Sequence, residues 1–221
     1  MTASLPEDPT LDEVRAFLAP SLAMQAAFDG WNETAVEAAA VQDDVDTDLA
    51  RLAFNDGPVD MIAAWFESVD ARMAERYSAE ELEAMKIRER ITNLVRARLE
   101  ILEPDREGLR RALAILAAPP NVRRAAKLGW GAADKMWRLA GDTATDYNHY
   151  TKRTLLSAVY GSTISVFLDD ESEDFAETRA FLDRRIENVM QFEKIKARVT
   201  GRGGDRFSMA RFFGRLRYRN L

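Results

Sequence analysis

A single histidine and the absence of cysteine limit what chemistry this 221-residue chain can hold. His149 is the lone imidazole, so a multi-histidine metal centre has no ligands to draw on, and neither does the repeated Glu/His pattern of a di-iron helical bundle. Without Cys there is no thiolate nucleophile. A Ser-His-Asp arrangement would rest wholly on His149, with no strand-to-helix elbow to raise the serine. The glycine-rich GRGGD at 201–205 lacks the Lys-Ser/Thr pair of a phosphate loop. Asp and Glu are abundant, 37 against 31 Lys and Arg, and at that density they read as solvated helix faces. The expectation is a protein that is not an enzyme, with no catalytic residues, no metal and no cofactor.

The distribution of charge is more telling than its sum. Residues 1–82 hold 18 acids and 4 bases, while residues 202–221 hold six Arg and the single acid Asp205. On a helical wheel Met209, Phe212, Phe213 and Leu216 fall together, Arg211 and Arg215 lie opposite, and Arg217 and Arg219 flank the apolar side. That is the pattern of an interfacial amphipathic helix, whose Arg heads reach lipid phosphates while their stems border the apolar stripe. A terminal helix packed on its own domain or on a partner subunit has the same pattern, and both readings stay open.

The elements that must position these residues are helices throughout. Thr10 with Glu13 forms a capping box before a helix of about 11–28, bent or split at Pro20. Short helices of about 32–41 and 46–53 follow, and Gly57-Pro58 opens a longer one carrying Ile62, Trp65, Phe66, Val69 and Met73. Ser78 with Glu81 caps a helix running to about Leu102, and a further helix ends before Pro119-Pro120. The next has a face of small residues, Ala125, Ala126, Gly129, Ala132 and Ala133. That face either admits another helix closely or leaves room beside the backbone. A strongly apolar helix of about 148–168 follows. Asp174 with Glu177 is then expected to cap a last helix to about Arg198. No alternating pattern demands a sheet, so the fold class is all-α.

Four segments result: 1–9 as a flexible N-terminus, 10–76 as a helix-turn-helix-like part, 77–198 as the larger helical part, and 199–221 as a glycine linker with the amphipathic helix. Between residues 29 and 60 there are nine acids and one base, Arg51. A recognition helix approaches phosphate through Lys and Arg, so no nucleic-acid partner is expected despite the geometry. The N-terminus shows no signal or presequence, and the expected location is the cytoplasm, peripheral on the inner membrane.

Residues 137–160, WRLAGDTATDYNHYTKRTLLSAVY, resemble the signature of the ubiquinone (coenzyme Q) biosynthesis accessory family of the Coq-nine type. DDESEDFAETRAFLDRRIENV at 169–189 and FDGWNETAVEAAA at 28–40 fit the same family, so the likeness spans essentially the whole chain. The resemblance implies a bacterial member with a TetR-like fold, a degenerate N-terminal helix-turn-helix, an apolar lipid pocket and a homodimer face. It also implies a role without catalysis: an isoprenoid quinone-like lipid is bound and presented to a di-iron demethoxyubiquinone-type hydroxylase at an anionic membrane surface. A TetR-like, ligand-responsive transcriptional regulator is the alternative.

Carried over by position, the hydroxylase-facing patch comprises Asp146, Tyr147, His149, Tyr150, Lys152 and Arg153. The mitochondrial pattern has Trp where His149 stands, which replaces a flat apolar anchor by a smaller titratable ring. The pocket is expected beside the small-residue helix, at Ala126, Gly129, Ala133, Met136, Trp137, Tyr160 and Phe167. Membrane contact falls to Met209, Arg211, Phe212, Phe213, Arg215, Leu216, Arg217 and Arg219.

Overall fold

The computed structural model describes residues 5–143 and 147–201, and all regular structure among them is helical. Ten α-helices follow in order: α1 (Leu11–Asp29), α2 (Glu33–Gln42), α3 (Thr47–Ala53), α4 (Pro58–Ala74), α5 (Ala79–Ala84), α6 (Ile87–Leu102), α7 (Arg106–Ala117), α8 (Val122–Leu139), α9 (Tyr147–Asp169) and α10 (Ala176–Gly201). Single 3-10 turns at Glu103–Asp105, Pro119–Asn121 and Glu173–Phe175 link the later helices. Two compact units divide after Asp183, within α10. The first holds α1 to α9 and the opening of α10; the second holds the rest of that helix.

Local chemistry sets most of the helix starts. The Thr10 hydroxyl accepts from the Glu13 amide at 3.3 Å while the Glu13 carboxylate accepts from the Thr10 amide at 2.8 Å, which closes the predicted capping box. Asn32 and Asp46 cap α2 and α3 through the Ala35 and Leu49 amides. Gly57, at φ +85°, turns the chain so that Pro58 takes the first position of α4. Val14, Leu18, Leu22 and Ala26 then form one fully buried stripe on α1. Helix α1 packs on α2, α3, α4 and α7. Trp65 of α4 is fully buried, with its ring 5.3 Å from that of Trp31.

Three boundaries differ from the sequence expectation. Helix α1 runs through Pro20 as one helix, its flanking residues Leu18, Ala19, Leu22 and Ala23 all fully buried. The helix opened by Ser78 stops at Ala84, because Met85 and Lys86 are extended. The Arg90 guanidinium holds that break, donating to the Met85, Glu83 and Ala140 carbonyls at 2.9–3.0 Å. Asp174 does not cap α10: it sits at φ 51° inside the preceding turn. The role falls to Asp170 and Ser172. The Ser172 hydroxyl accepts from the Glu177 amide, and the Asp170 carboxylate accepts from the Thr178 amide at 2.8 Å and from the Thr178 hydroxyl at 2.6 Å.

Candidate functional site

Helices α7, α8 and α9 line a cavity of about 520 Å³ that opens to solvent past Val122, Ala126 and Gly161, with Phe66 of α4 and Arg98 of α6 at its inner wall. Its wall is mainly apolar, with Leu113, Leu116, Val122, Leu128 and Ile164 supplying bulk. The room comes from small residues. A Cβ added at Gly129 on α8 or at Gly161 on α9 would meet nothing within 4 Å, and Ala125, Ala126 and Ala132 extend that thin wall. Small residues on the two helices thus leave space between them, where larger ones would interdigitate.

The inner wall is not wholly apolar. Arg98 breaks the buried stripe Leu94, Val95, Leu99 and Leu102 of α6, and its side chain is only 2% exposed. Its Nε donates to the Tyr160 hydroxyl at 2.7 Å and its Nη1 to the Asp70 carboxylate. The guanidinium also lies 5.8 Å from the Phe66 ring centre and 5.4 Å from that of Tyr160. Burial raises the Tyr160 hydroxyl pKa, and the neighbouring Arg98 charge offsets part of that rise.

Of the residues expected at the pocket, Ala126, Gly129 and Tyr160 line this cavity. Ala133, Met136, Trp137 and Phe167 do not. Ala133 and Met136 are fully buried and close into the packed interior farther along α8. Trp137 turns its indole Nε1 to the Lys152 carbonyl at 3.1 Å. Phe167 lies 5.1 Å from the Phe175 ring, the two tilted to one another, with the Arg106 guanidinium over both. Phe66, Arg98, Leu113 and Leu116 line the cavity from helices that the sequence pattern did not connect with it. For Arg98 a signal was present, since a charge on an otherwise apolar helical stripe needs a buried partner.

At the start of α9 the charges lock together. Arg153, 1% exposed, donates to Asp134 on α8 and to Asp142 in the following turn. Lys152 pairs with Asp142 at 2.6 Å, and Arg138 with Asp134 at 2.8 Å. Burial alone would raise both carboxyl pKa values. Hydrogen bonds from Arg153, joined by Lys152 at Asp142 and by Arg138 at Asp134, more than reverse this and hold both below the ordinary value. Arg153 therefore pins α9 to α8 and does not face outward, a correction to its place in the expected partner patch. Tyr150 does face outward, 61% exposed. Its ring lies 6.0 Å from Trp130 and 5.2 Å from His149. Lys152 is half-buried, with its ammonium 5.2 Å from the Trp137 ring centre. Asp146 and the Tyr147 side chain lie outside the described residues, as do the expected membrane contacts from Met209 to Arg219.

Helices α2 and α3 sit behind α1 in helix-turn-helix order, with an acidic exterior. Arg51 on α3 pairs with Glu33, Glu37 and Asp48. Among the described residues no cluster of His, Cys, Asp and Glu could hold a metal ion. No described helix is long and apolar enough to cross a membrane.

A short helical trio followed by a larger helical part with its own cavity makes an all-α fold, and that fold is TetR-like. The chain is similar in structure to a TetR transcriptional regulator from Nitrosomonas europaea, with a TM-score of 0.60, 21% identity, and coverage of 80% of this chain and 96% of that one. Residues 122–193, covering α8, α9 and most of α10, match the COQ9 family model. Among relatives, the chain is 31% identical to the mitochondrial ubiquinone biosynthesis protein COQ9 of Rattus norvegicus over 181 residues, 79% of this chain and 58% of the rat protein. It is 36% identical to the Homo sapiens protein of the same description over 123 residues, 56% of this chain and 39% of that one. The matched regions thus span between about two fifths and three fifths of these relatives' lengths. The chain is thus similar to COQ9 proteins, most specifically over residues 122–193.

Proposed function

We propose that this chain is a non-enzymatic accessory protein of ubiquinone biosynthesis. It holds a polyprenylated quinone intermediate, or a similar isoprenoid lipid, in the α7–α8–α9 cavity. At the membrane surface it presents that ligand to a di-iron hydroxylase. The observation that carries the reading is the cavity itself: about 520 Å³, walled mainly by apolar side chains and partly built from the segment that matches the family model. An apolar ligand there leaves water at a gain of about 25 cal/mol per Å² of surface covered. The names of the relatives supply the pathway, and the exposed Tyr150 beside Trp130 supplies aromatic surface suited to a protein contact.

Membrane docking rests on the sequence of residues 202–221, whose six Arg, two consecutive Phe and Leu216 suit an anionic bilayer. The homodimer remains part of the proposal on the family likeness alone. Organic extraction of the purified protein followed by mass analysis is the direct test. Isoprenoid lipid in near-stoichiometric amount is expected. Protein that carries no lipid, and takes none from mixed vesicles, would remove the carrier role and leave a scaffold.

A further inference from the structure

The cavity wall has four polar side chains, Arg98, Ser157, Tyr160 and Ser165, and the two serines have their donors committed within the protein. Ser157 donates from its hydroxyl to the Arg153 carbonyl at 2.8 Å, with the Gly129 carbonyl 3.3 Å away, and Ser165 donates to the Gly161 carbonyl at 3.3 Å. Arg98 and Tyr160 differ. The Tyr160 oxygen accepts from Arg98 Nε, and among the described residues nothing accepts the hydroxyl's own proton. Arg98 uses Nε on Tyr160 and Nη1 on Asp70, and its other N–H groups have no acceptor among the described residues. Both residues are buried, Tyr160 6% and Arg98 2% exposed, and both line the cavity.

Such a pair accepts water or an oxygen of a ligand, but not hydrocarbon. Covering it with a purely apolar molecule strips water from the donors and returns nothing. The charge balance narrows the class further. Asp70 already neutralises Arg98, so a carboxylate or phosphate placed there would be repelled by Asp70, whereas an uncharged carbonyl oxygen is not.

We infer that Arg98 and Tyr160 form a donor pair that recognises an uncharged carbonyl oxygen on the apolar ligand, and that this pair decides which ligands the cavity retains. The inference rests on the proposed reading that the cavity takes an apolar ligand. It adds a direction: the oxygenated ring lies against α6, and the hydrocarbon part extends along the Gly129–Gly161 side.

Calorimetric titration of the full chain with menadione and with methylnaphthalene separates the two ideas, because the pair shares a fused-ring scaffold and differs chiefly in two carbonyl oxygens. With no Cys in the chain, menadione has no thiol to alkylate. The wild type should bind menadione about tenfold more tightly, the scale of one hydrogen bond to a charged donor. In Tyr160→Phe the preference should fall to about twofold while methylnaphthalene affinity holds, which also reports that the variant is folded. In the wild type, menadione and not methylnaphthalene should move the ζ-carbon resonance of labelled Tyr160. This second measurement requires no substitution in the protein under titration. Equal affinity for the two probes in the wild type, or a preference unchanged by Tyr160→Phe, would overturn the donor-pair inference alone. Binding of neither probe would overturn the cavity reading and the inference together.

Discussion

The indole Nε1 of Trp31 donates to the carbonyl oxygen of Gly108 at 3.0 Å, joining the turn between α1 and α2 to α7 across 77 residues of sequence. The bond exists because α1 and α7 approach closely at this point. A Cβ on Gly108 would lie 2.7 Å from the Ala23 carbonyl oxygen, so only glycine fits without backbone movement. Gly108→Ala should therefore cost about 1–3 kcal/mol, the usual range for overpacking a closed contact. Gly129→Ala should instead be neutral, or stabilise by up to about 1 kcal/mol, because its Cβ meets nothing within 4 Å and the helix gains a residue with less entropy to lose. Urea midpoints measured for both variants, with unchanged slopes, check the contrast.

Asp170 supplies a pH-dependent part of the stability. Burial acts to raise its carboxyl pKa, but hydrogen bonds from Ser172 and Thr178, side chain and backbone alike, outweigh burial and bring it down to about 2. With the folded value below the unfolded one, the contribution is fully present above about pH 4 and is lost as pH falls towards 2. It amounts to about 2 kcal/mol at neutral pH. Asp170→Asn should lower the neutral-pH stability by about that amount and flatten the acid limb of the stability profile. Denaturant unfolding at pH 7 and pH 3 for both proteins measures it. An acid limb equally steep in the variant would assign the sensitivity to other carboxylates.

The helical class and most element starts were legible because they depend on nearest neighbours: Thr10 with Glu13, Ser78 with Glu81, and Gly57 before Pro58. The α5–α6 break was not, since it depends on Arg90 reaching the Ala140 carbonyl 50 residues away. Asp174 read as a cap from its spacing to Glu177, yet Asp170 has the Thr178 amide in reach and takes that part. At the cavity, the small-residue face of α8 pointed to Ala126 and Gly129. The opposite wall, from α4, α6 and α7, left no local trace except Arg98 on an apolar stripe. Arg153 enters the partner patch only by its position in the resembled motif; its burial depends on Asp134, 19 residues earlier.

The Arg153 cluster sets up a sharp difference between neighbouring positions. Arg153→Met leaves Asp134 and Asp142 without their buried partner and should cost about 3–5 kcal/mol. Adding Asp134→Leu and Asp142→Asn removes the stranded charge and should recover much of that loss. Tyr150→Ala, one turn away and exposed, should change thermal stability by no more than about 0.5 kcal/mol while weakening the proposed hydroxylase contact. Thermal unfolding together with pull-down by the hydroxylase distinguishes the two residues. A large stability loss in Tyr150→Ala with binding unchanged would identify Tyr150 as a packing residue.

The cavity and the basic tail should be separable. Gly161 lines the cavity with open space at its Cβ position, so Gly161→Phe starts its side chain there and adds a ring at the cavity wall. Lipid recovered with the purified variant should fall several-fold while helical content stays unchanged. Ala133→Trp is the contrasting control: Ala133 has no exposed surface and does not line the cavity, so that change should destabilise the fold by overpacking before it alters occupancy. Truncation after Thr200 should have the opposite profile to Gly161→Phe. Removing residues 202–221 takes away a net charge of +5 and the Phe212–Phe213 pair, so binding to anionic vesicles should be lost while lipid occupancy persists. Phe212→Ser with Phe213→Ser should act like the truncation, and Arg211→Gln with Arg215→Gln should weaken binding mainly on anionic vesicles. Co-sedimentation with vesicles of increasing phosphatidylserine content, read beside lipid mass analysis of the same preparations, tests all of these at once. Loss of occupancy on truncation would mean that the tail helps retain the ligand; unchanged vesicle binding would move the membrane contact onto the helical body.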